Sequence, residues 1–270
     1  MDRVIEYYLI ESDLEKISRL PVSEQAEFLE LIEEYESAKK REDSRVSFIE
    51  FVRGMWPAFI DGEHHKIMAD AFERIARGEL KRLIVNMPPR HTKSEFASYL
   101  LPAWFLGQFP EKKVIQTAHT AELSVGFGRK VRNLVDDDDF KKVFPELALR
   151  ADSKAAGRWS TNKGGEYFAI GVGGAVTGKG ADLLIIDDPH SEQEGQSADP
   201  SVFDKTYDWY TSGPRQRLQP GGAIVIVMTR WHMRDLTGKI IKSSMQREGM
   251  DEWEVIEFPA IFYENTAKEK

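Results

Sequence analysis

Apolar residues along the chain alternate between short strand-like runs and helix-like spacing, and this alternation predicts the order of secondary structure. Compact apolar runs bounded by polar turns predict strands at 82–87, 113–118, 183–186, 223–228 and 253–258. Between them, apolar residues at helical spacing predict helices over 94–106, 121–135, 202–210 and 233–243. Strands that alternate with helices favour an α/β fold, with a mostly parallel sheet covered by helices on both faces.

Residues 1–45 precede this alternation and predict a small, separate and acidic helical region. Phe28, Leu31, Ile32 and Tyr35 share one face of its helix. A next helix is predicted to begin in the segment 47–50, which has the form of a capping box. Four consecutive acids at 136–139 suggest either a metal site or, more simply, a solvated helix end.

Composition and charge exclude several classes of protein. The 270 residues include no cysteine, which excludes disulfides and thiolate metal sites. No run of 18 apolar residues and no signal peptide occur, so we expect a soluble, non-secreted protein. The net charge of −8 argues against a surface that is basic throughout, but it does not exclude a local basic edge.

The segment 87–95, Met-Pro-Pro-Arg-His-Thr-Lys-Ser-Glu, joins the first strand of this pattern to a helix. A strand, a tight loop, Lys-Ser and a helix form the layout of a phosphate-binding P-loop. Met87 and Thr92 stand where the standard pattern has glycines, and a positive φ at Thr92 would cost about 1–2 kcal/mol. Because proline has no N–H, the cradle must come from Arg90 through Glu95. The alternative is an ordinary strand-to-helix turn.

A second informative stretch is the apolar run 183–186, which ends in Asp187 and Asp188. This is the Walker B arrangement, in which the first acid holds Mg²⁺ through water and the second polarises the attacking water. Apolar strands also end in ordinary acidic turns. The two stretches together, in this order, favour a nucleotide site.

Three signatures resemble the ATPase region of the large terminase subunit of tailed bacteriophages. They are Met-Pro-Pro-Arg-His-Thr-Lys-Ser at 87–94, Leu-Leu-Ile-Ile-Asp-Asp-Pro at 183–189 and Thr-Arg-Trp-His at 229–232. The resemblance implies a RecA-like P-loop NTPase of the ASCE class, with one strand between the P-loop strand and the Walker B strand. It also implies ATP and Mg²⁺ as cofactors, and ATP hydrolysis that drives double-stranded DNA into a procapsid.

The resemblance also implies roles for individual residues. Lys93 would bind the β- and γ-phosphates, Ser94 and Asp187 would hold Mg²⁺, Asp188 would be the catalytic carboxylate, and Arg90 would sense the γ-phosphate. The implied nucleotide-binding residues are Arg90, His91, Thr92, Lys93, Ser94 and Glu95, with His65 at the position that contacts adenine in terminases. Two surface histidines at a helix start, His64 and His65, are the alternative there.

Two further roles concern motion and neighbouring subunits. Thr229 would couple phosphate loss to movement, and Arg230 and His232 would extend that switch. Lys179, and after it Arg158, are candidates for the cation that a neighbouring subunit supplies to the γ-phosphate. A solvated lysine in a glycine-rich loop is the alternative for Lys179.

The implied partners are double-stranded DNA, the portal protein, the small terminase subunit and further copies of the chain. On the procapsid, several copies of the chain would form a ring. In isolation the chain would be a monomer, and no membrane contact is expected. The location would be the host-cell cytoplasm and, transiently, the portal vertex, but not the mature virion. Residues 1–45 would be a packing appendage or a docking surface for another subunit, 46–260 the ATPase domain, and 261–270 the start of a linker to a nuclease domain.

Three rival functions remain. Another nucleic-acid translocase, such as a helicase, would need a second RecA-like domain, for which 270 residues leave no room. A nucleotide-binding module without turnover is disfavoured by the paired acids. A small-molecule kinase would need a substrate lid, in which Thr-Arg-Trp-His has no place.

Overall fold

The computed structural model describes residues 21–197, 199–246 and 251–260. The chain divides into two compact units, 1–43 and 44–270, so the observed division lies two residues before the predicted one. Helix α1 (Val22–Val46) crosses it. Within the first unit, the predicted apolar face is largely exposed at Phe28, Leu31 and Tyr35. The predicted linker at 261–270 and the first twenty residues lie outside the described residues.

The second unit contains helices and strands in alternation. Its helices are α2 (Phe48–Met55), α3 (Glu63–Ala76), α4 (Leu101–Gln108), α5 (Ala121–Val135), α6 (Asp138–Val143), α7 (Glu192–Gly195), α8 (Val202–Ser212) and α9 (Leu236–Gln246), with a π-helix at Glu95–Leu100 and a 3₁₀ turn at Pro214–Arg217. Its strands are β1 (Arg82–Asn86), β2 (Lys113–Ala118), β3 (Leu149–Ala155), β4 (Arg158–Thr161), β5 (Glu166–Gly171), β6 (Ala181–Asp187), β7 (Leu218–Met228) and β8 (Glu254–Glu257). Among the described residues, no helix is long and apolar enough to cross a membrane.

The eight strands form one sheet in the order β3-β4-β5-β2-β6-β7-β1-β8. Strands β5, β2, β6, β7, β1 and β8 run parallel, whereas β4 is antiparallel to both of its neighbours. The predicted α/β class and mostly parallel sheet are confirmed. One strand was expected between the strand before Lys93 and the strand before Asp187. This arrangement is observed, since β7 alone lies between β1 and β6.

Both faces of the sheet are buried, because successive side chains of a strand point to opposite faces. Leu83 and Val85 of β1 pack into a core built with α2 to α6, whereas Ile84, between them, packs into a second core with α8 and α9. The central strands β1, β6 and β7 are therefore largely apolar, whereas β2 also buries the polar residues Gln116 and Thr117.

The start of α2 differs from the sequence expectation. Ser47 makes no side-chain cap to α2, so the predicted capping box is wrong. Glu73 of α3 takes over that role, since its Oε1 accepts hydrogen bonds from the Phe48 backbone N–H at 2.7 Å and from the Ser47 hydroxyl at 3.2 Å. A contact between two helices thus replaces a contact within one turn.

Candidate nucleotide site

The carboxyl ends of three neighbouring strands converge on one point of the sheet edge. Met87 follows β1, Asp188 follows β6, and Thr229 follows β7, which lies between them. Backbone hydrogen bonds hold these ends together: the N–H of Met87 donates to Met228 O at 3.0 Å, and the N–H of Asp188 donates to Val227 O at 2.9 Å. In parallel α/β sheets, ligand sites form at this edge.

The loop between β1 and the following helix adopts the backbone conformation that a phosphate cradle requires. Arg90 and Thr92 have positive φ values of 64° and 66°, although neither is glycine. Within the described part of the chain, the N–H groups of Arg90, His91 and Thr92 donate to no protein acceptor. Successive unpaired N–H groups at the start of a helix form a concavity suited to an anion.

The Lys93 side chain lies at the centre of the site and is only 4% exposed. Its Nζ is 2.8 Å from Asp188 Oδ2 and donates to the Thr229 hydroxyl at 3.2 Å. Thr229 also donates from its backbone N–H to Asp188 Oδ1 at 2.8 Å, and from its hydroxyl to Met87 O at 3.3 Å. Thr229 therefore contacts the loop, the lysine and the second acid of the pair.

Asp187 is buried between two hydroxyl groups of the helical segment that follows the loop after β1. Its Oδ1 accepts from Ser94 at 2.9 Å and its Oδ2 from Ser98 at 2.8 Å. Burial, and then the negative charge of Asp188, raise the pKa of Asp187 to about 7, while Ser98, Ser94 and Lys93 act in the opposite direction. The role of Ser98 was missed from the sequence, although its spacing of four residues from Ser94 places both hydroxyls on one helix face.

Hydroxyl and carboxylate oxygens are the donors that Mg²⁺ prefers, so Ser94 and the Asp187–Asp188 pair fit the implied metal. Within the described residues, no group of three or more histidines or acids is placed to hold a metal, so the metal donors at this site are one hydroxyl and two carboxylates. Of the four acids at 136–139, Asp137 caps α6 by accepting from the Asp139 N–H, as expected of a helix end.

The other loop residues lie at the outer side of the site. Arg90 is exposed and forms no ion pair within the described residues, which leaves its guanidinium available to a ligand. His91 is exposed, with Nδ1 2.8 Å from Pro89 O. Glu95 pairs with Lys130 of α5 at 2.7 Å, so its side chain is directed to a neighbouring helix.

The structure does not place His65 where an adenine could reach it. Its ring is 4% exposed and lies beneath the loop, with Nε2 2.6 Å from the Thr92 hydroxyl oxygen. The predicted adenine contact is therefore contradicted, and so is its alternative, a pair of surface histidines. The terminase resemblance implied that His65 lies near the nucleotide, but it did not indicate on which side of the loop the ring would lie.

Lys179 is also not where the sequence suggested. Its Nζ is 2.9 Å from Glu166 Oε2 and 5.4 Å from the centre of the Phe168 ring, so it is neither exposed nor free. Lys179 precedes β6, whereas Asp187 ends it, and seven strand residues put about 20 Å between the two ends. The expectation of an exposed cation beside the acids is wrong for Lys179. Arg158 is exposed, at the start of β4.

The Thr-Arg-Trp-His segment forms a loop held by one buried acid. Asp235 Oδ2 accepts from Arg230 Nε at 2.9 Å, and from the backbone N–H groups of Trp231 and His232 at 3.1 and 3.2 Å. The His232 ring stacks on Phe203 of α8, with ring centres 5.4 Å apart. The loop therefore links Thr229 to α8 and α9 through fixed contacts.

The sheet order, the loop with positive φ values and the paired acids define an α/β protein with a mostly parallel sheet and a candidate anion site at its carboxyl edge. A search of protein-family models and of curated proteins found no match. Among solved structures, the fold is similar to that of the HK97 bacteriophage large terminase, with 16% sequence identity and a TM-score of 0.45. The similarity covers 70% of this chain and 37% of the terminase chain, so this chain spans little more than a third of that protein.

Proposed function

We propose that this chain is a Mg²⁺-dependent ATPase, and that it forms the ATP-hydrolysing part of a motor that moves double-stranded DNA into a viral procapsid. The observation that supports the ATPase is the meeting of Lys93, Ser94, Asp187 and Asp188 beside a loop of unpaired N–H groups. These groups supply a phosphate cradle, a cation, a metal-binding hydroxyl and two carboxylates at one point.

In this proposal, the loop N–H groups and Lys93 bind the β- and γ-phosphates. Lys93 exchanges its contact with Asp188 for the phosphates, and Asp188 is then free to accept a proton from the attacking water. Ser94 and Asp187 would hold Mg²⁺, which would neutralise charge on the phosphates. Arg90, exposed at the loop, completes the positive surroundings of the γ-phosphate.

In this proposal, Thr229 reports the state of the phosphates to the rest of the domain. Its hydroxyl contacts Lys93 and its backbone contacts Asp188, so both contacts change if Lys93 moves to a nucleotide. The following residues are fixed to Asp235 at the start of α9. A shift of Thr229 would therefore reach α9 through covalent and hydrogen-bonded connections.

The DNA-packaging part of the proposal is supported by the Pro-Pro-Arg-His and Thr-Arg-Trp-His signatures. It includes double-stranded DNA, the portal protein and the small terminase subunit as partners, and a ring of copies at the portal vertex in the host cytoplasm. It also includes the division into a helical region at 1–45, an ATPase domain at 46–260 and a linker at 261–270. Other P-loop translocases and a nucleotide-binding module without turnover are the alternatives.

Release of phosphate from ATP by the purified chain, measured with and without Mg²⁺ over a range of protein concentrations, tests this proposal. Slow, Mg²⁺-dependent release that rises steeply with concentration is expected, because assembled motors complete their sites between subunits. Lys93→Ala should abolish ATP binding, whereas Lys66→Ala, which removes an exposed lysine on α3, should not. ATP binding without phosphate release would instead support the non-hydrolysing module.

A further inference from the structure

Thr92 occupies a backbone position that a β-branched residue normally avoids. Its φ of 66° lies in the left-handed region, which glycine adopts without steric cost and in which threonine is strained. The residue immediately precedes Lys93, so any relaxation of Thr92 would move the lysine and the N–H groups of the loop. Something in the structure must hold this conformation.

The contact that holds Thr92 comes from helix α3, outside the loop. The Thr92 hydroxyl donates to the neighbouring His91 carbonyl at 2.5 Å, and His65 Nε2 lies 2.6 Å from the same hydroxyl oxygen. Because the single hydroxyl proton is already used, Nε2 of His65 must carry the proton and donate to Thr92. The left-handed residue Arg90 is exposed and has no comparable anchor in the described part of the chain.

His65 is itself held firmly in place. Its ring stacks on Phe96 with centres 4.7 Å apart and an angle of 23°, and it packs against Phe59 at 4.8 Å. Burial, and then the neighbouring His64, lower the pKa of His65 to about 4, so the ring is neutral at physiological pH. Phe96 in turn donates its N–H to Thr92 O at 3.0 Å, so His65 reaches Thr92 both directly and through Phe96.

We infer that His65 is a positioning residue for the phosphate-binding loop, and that the His65–Thr92 hydrogen bond replaces the conformational freedom of the missing glycine. His65 touches no phosphate in this role, and it acts by keeping Thr92, and with it Lys93, in the binding conformation. The inference deepens the proposed ATPase function and rests on it for the nucleotide.

A double-mutant cycle of His65→Phe and Thr92→Gly tests this link. Phenylalanine fits an aromatic cluster but cannot donate, whereas glycine adopts a φ of 66° without an anchor. We expect His65→Phe to weaken ATP binding about tenfold when Thr92 is present, as strain of 1–2 kcal/mol implies, but less than about threefold when Thr92→Gly is present. His65→Gln, which retains a donor at a similar reach, should recover most of the affinity.

Urea unfolding of the same four proteins without nucleotide is the second measurement, and His64→Phe is the matched control for both. Coupling in both cycles, with an affinity change below about twofold for His64→Phe, supports the inference. Equal effects of His65→Phe in the Thr92 and Thr92→Gly backgrounds, in either cycle, would overturn it. If the unmodified chain binds no ATP, the proposed ATPase function fails, and the unfolding cycle alone decides whether His65 holds the loop.

Discussion

Lys93 and Asp188 form an ion pair, with Nζ 2.8 Å from Oδ2, between the two sequence motifs that the fold brings together. The lysine is buried and the acid is partly exposed, so the pair sits at the mouth of the site. The lysine that would bind phosphate and the acid that would activate water therefore neutralise each other until a ligand separates them. Under the proposed function, this relationship would couple nucleotide binding to the availability of the base.

Replacement of Asp188 by asparagine should separate binding from turnover. We expect Asp188→Asn to lower phosphate release by about 10²–10⁴-fold, because the proton acceptor is lost. The same variant should bind ATP more tightly, since Lys93 no longer has a competing carboxylate. Calorimetric titration with ATP and a phosphate-release assay check the two effects.

Asp182→Asn is a matched control for that variant, because Asp182 lies at the opposite end of the same strand and contacts Lys112 and the Lys113 N–H. Asp182→Asn should leave the ATP affinity and the rate of phosphate release per folded molecule close to those of the unmodified chain. Full turnover by Asp188→Asn would show that the acid pair has been assigned wrongly.

Removal of the Ser98 hydroxyl should disturb Asp187 without touching the loop. Ser98→Ala leaves Asp187 Oδ2 without its donor in a fully buried place, which should lower the free energy of unfolding by about 1–3 kcal/mol. We also expect a higher Mg²⁺ concentration for half-maximal turnover, because the carboxylate loses one of the two groups that orient it. Unfolding in urea and a Mg²⁺ titration of turnover measure these changes.

Ser212→Ala provides the comparison for Ser98→Ala, because the Ser212 hydroxyl donates to Asp208 O at an exposed helix end. It should change the free energy of unfolding by less than about 0.5 kcal/mol. Equal effects of the two serine variants would argue against a special role of Ser98.

Acid should destabilise the domain partly through His65. The pKa of His65 in the folded protein is about 4, below its ordinary value of 6.5, so between these values the unfolded chain binds a proton that the folded chain does not. The contribution of His65 to the free energy of unfolding should therefore fall as the pH decreases from about 6.5 to about 4, whereas Asp187, with its raised pKa, contributes in the opposite direction. Burial lowers the pKa of His64 and His190 as well, so their contributions to the free energy of unfolding also fall as the pH decreases.

The His65 contribution is the difference between the unmodified chain and His65→Phe across that range. We expect the variant to show a shallower pH dependence of urea unfolding between pH 4 and 6.5, and no change of slope above it. If the free energy of unfolding of the two proteins changes in parallel with pH over the whole range, His65 is protonated as easily in the folded protein as in the unfolded chain.

Lys179 should behave as part of a structural ion pair. We expect Lys179→Ala and Glu166→Gln each to lower the free energy of unfolding by up to about 1 kcal/mol, with effects that are not additive in the double variant. Urea unfolding of the three variants measures this coupling. Loss of the concentration-dependent part of ATP turnover in Lys179→Ala, with unchanged stability, would instead restore the interpretation of Lys179 as a cation supplied to a neighbouring subunit.

The sequence alone determined the order of the elements and the position of the site along the chain. Apolar runs and helical spacing record which face of each element is buried, and this information is local, so the ranges predicted for β1, β2 and α5 differ from the observed ones by at most one residue. The apolar run before Asp187 likewise showed where a strand delivers its acids to the sheet edge. Lys93, Ser94 and Asp188 could be singled out because each belongs to a contiguous motif.

Only the tertiary structure decided which side chains from distant elements meet these motifs. Ser98 reaches Asp187, and His65 reaches Thr92, because strand order and helix packing bring segments far apart in the chain to the same place. Lys179 lies close to the acids along the chain but at the other end of β6, and it pairs with Glu166 across the sheet. Local periodicity fixes the direction of a side chain relative to its own element, but distances between elements depend on how the whole sheet is assembled.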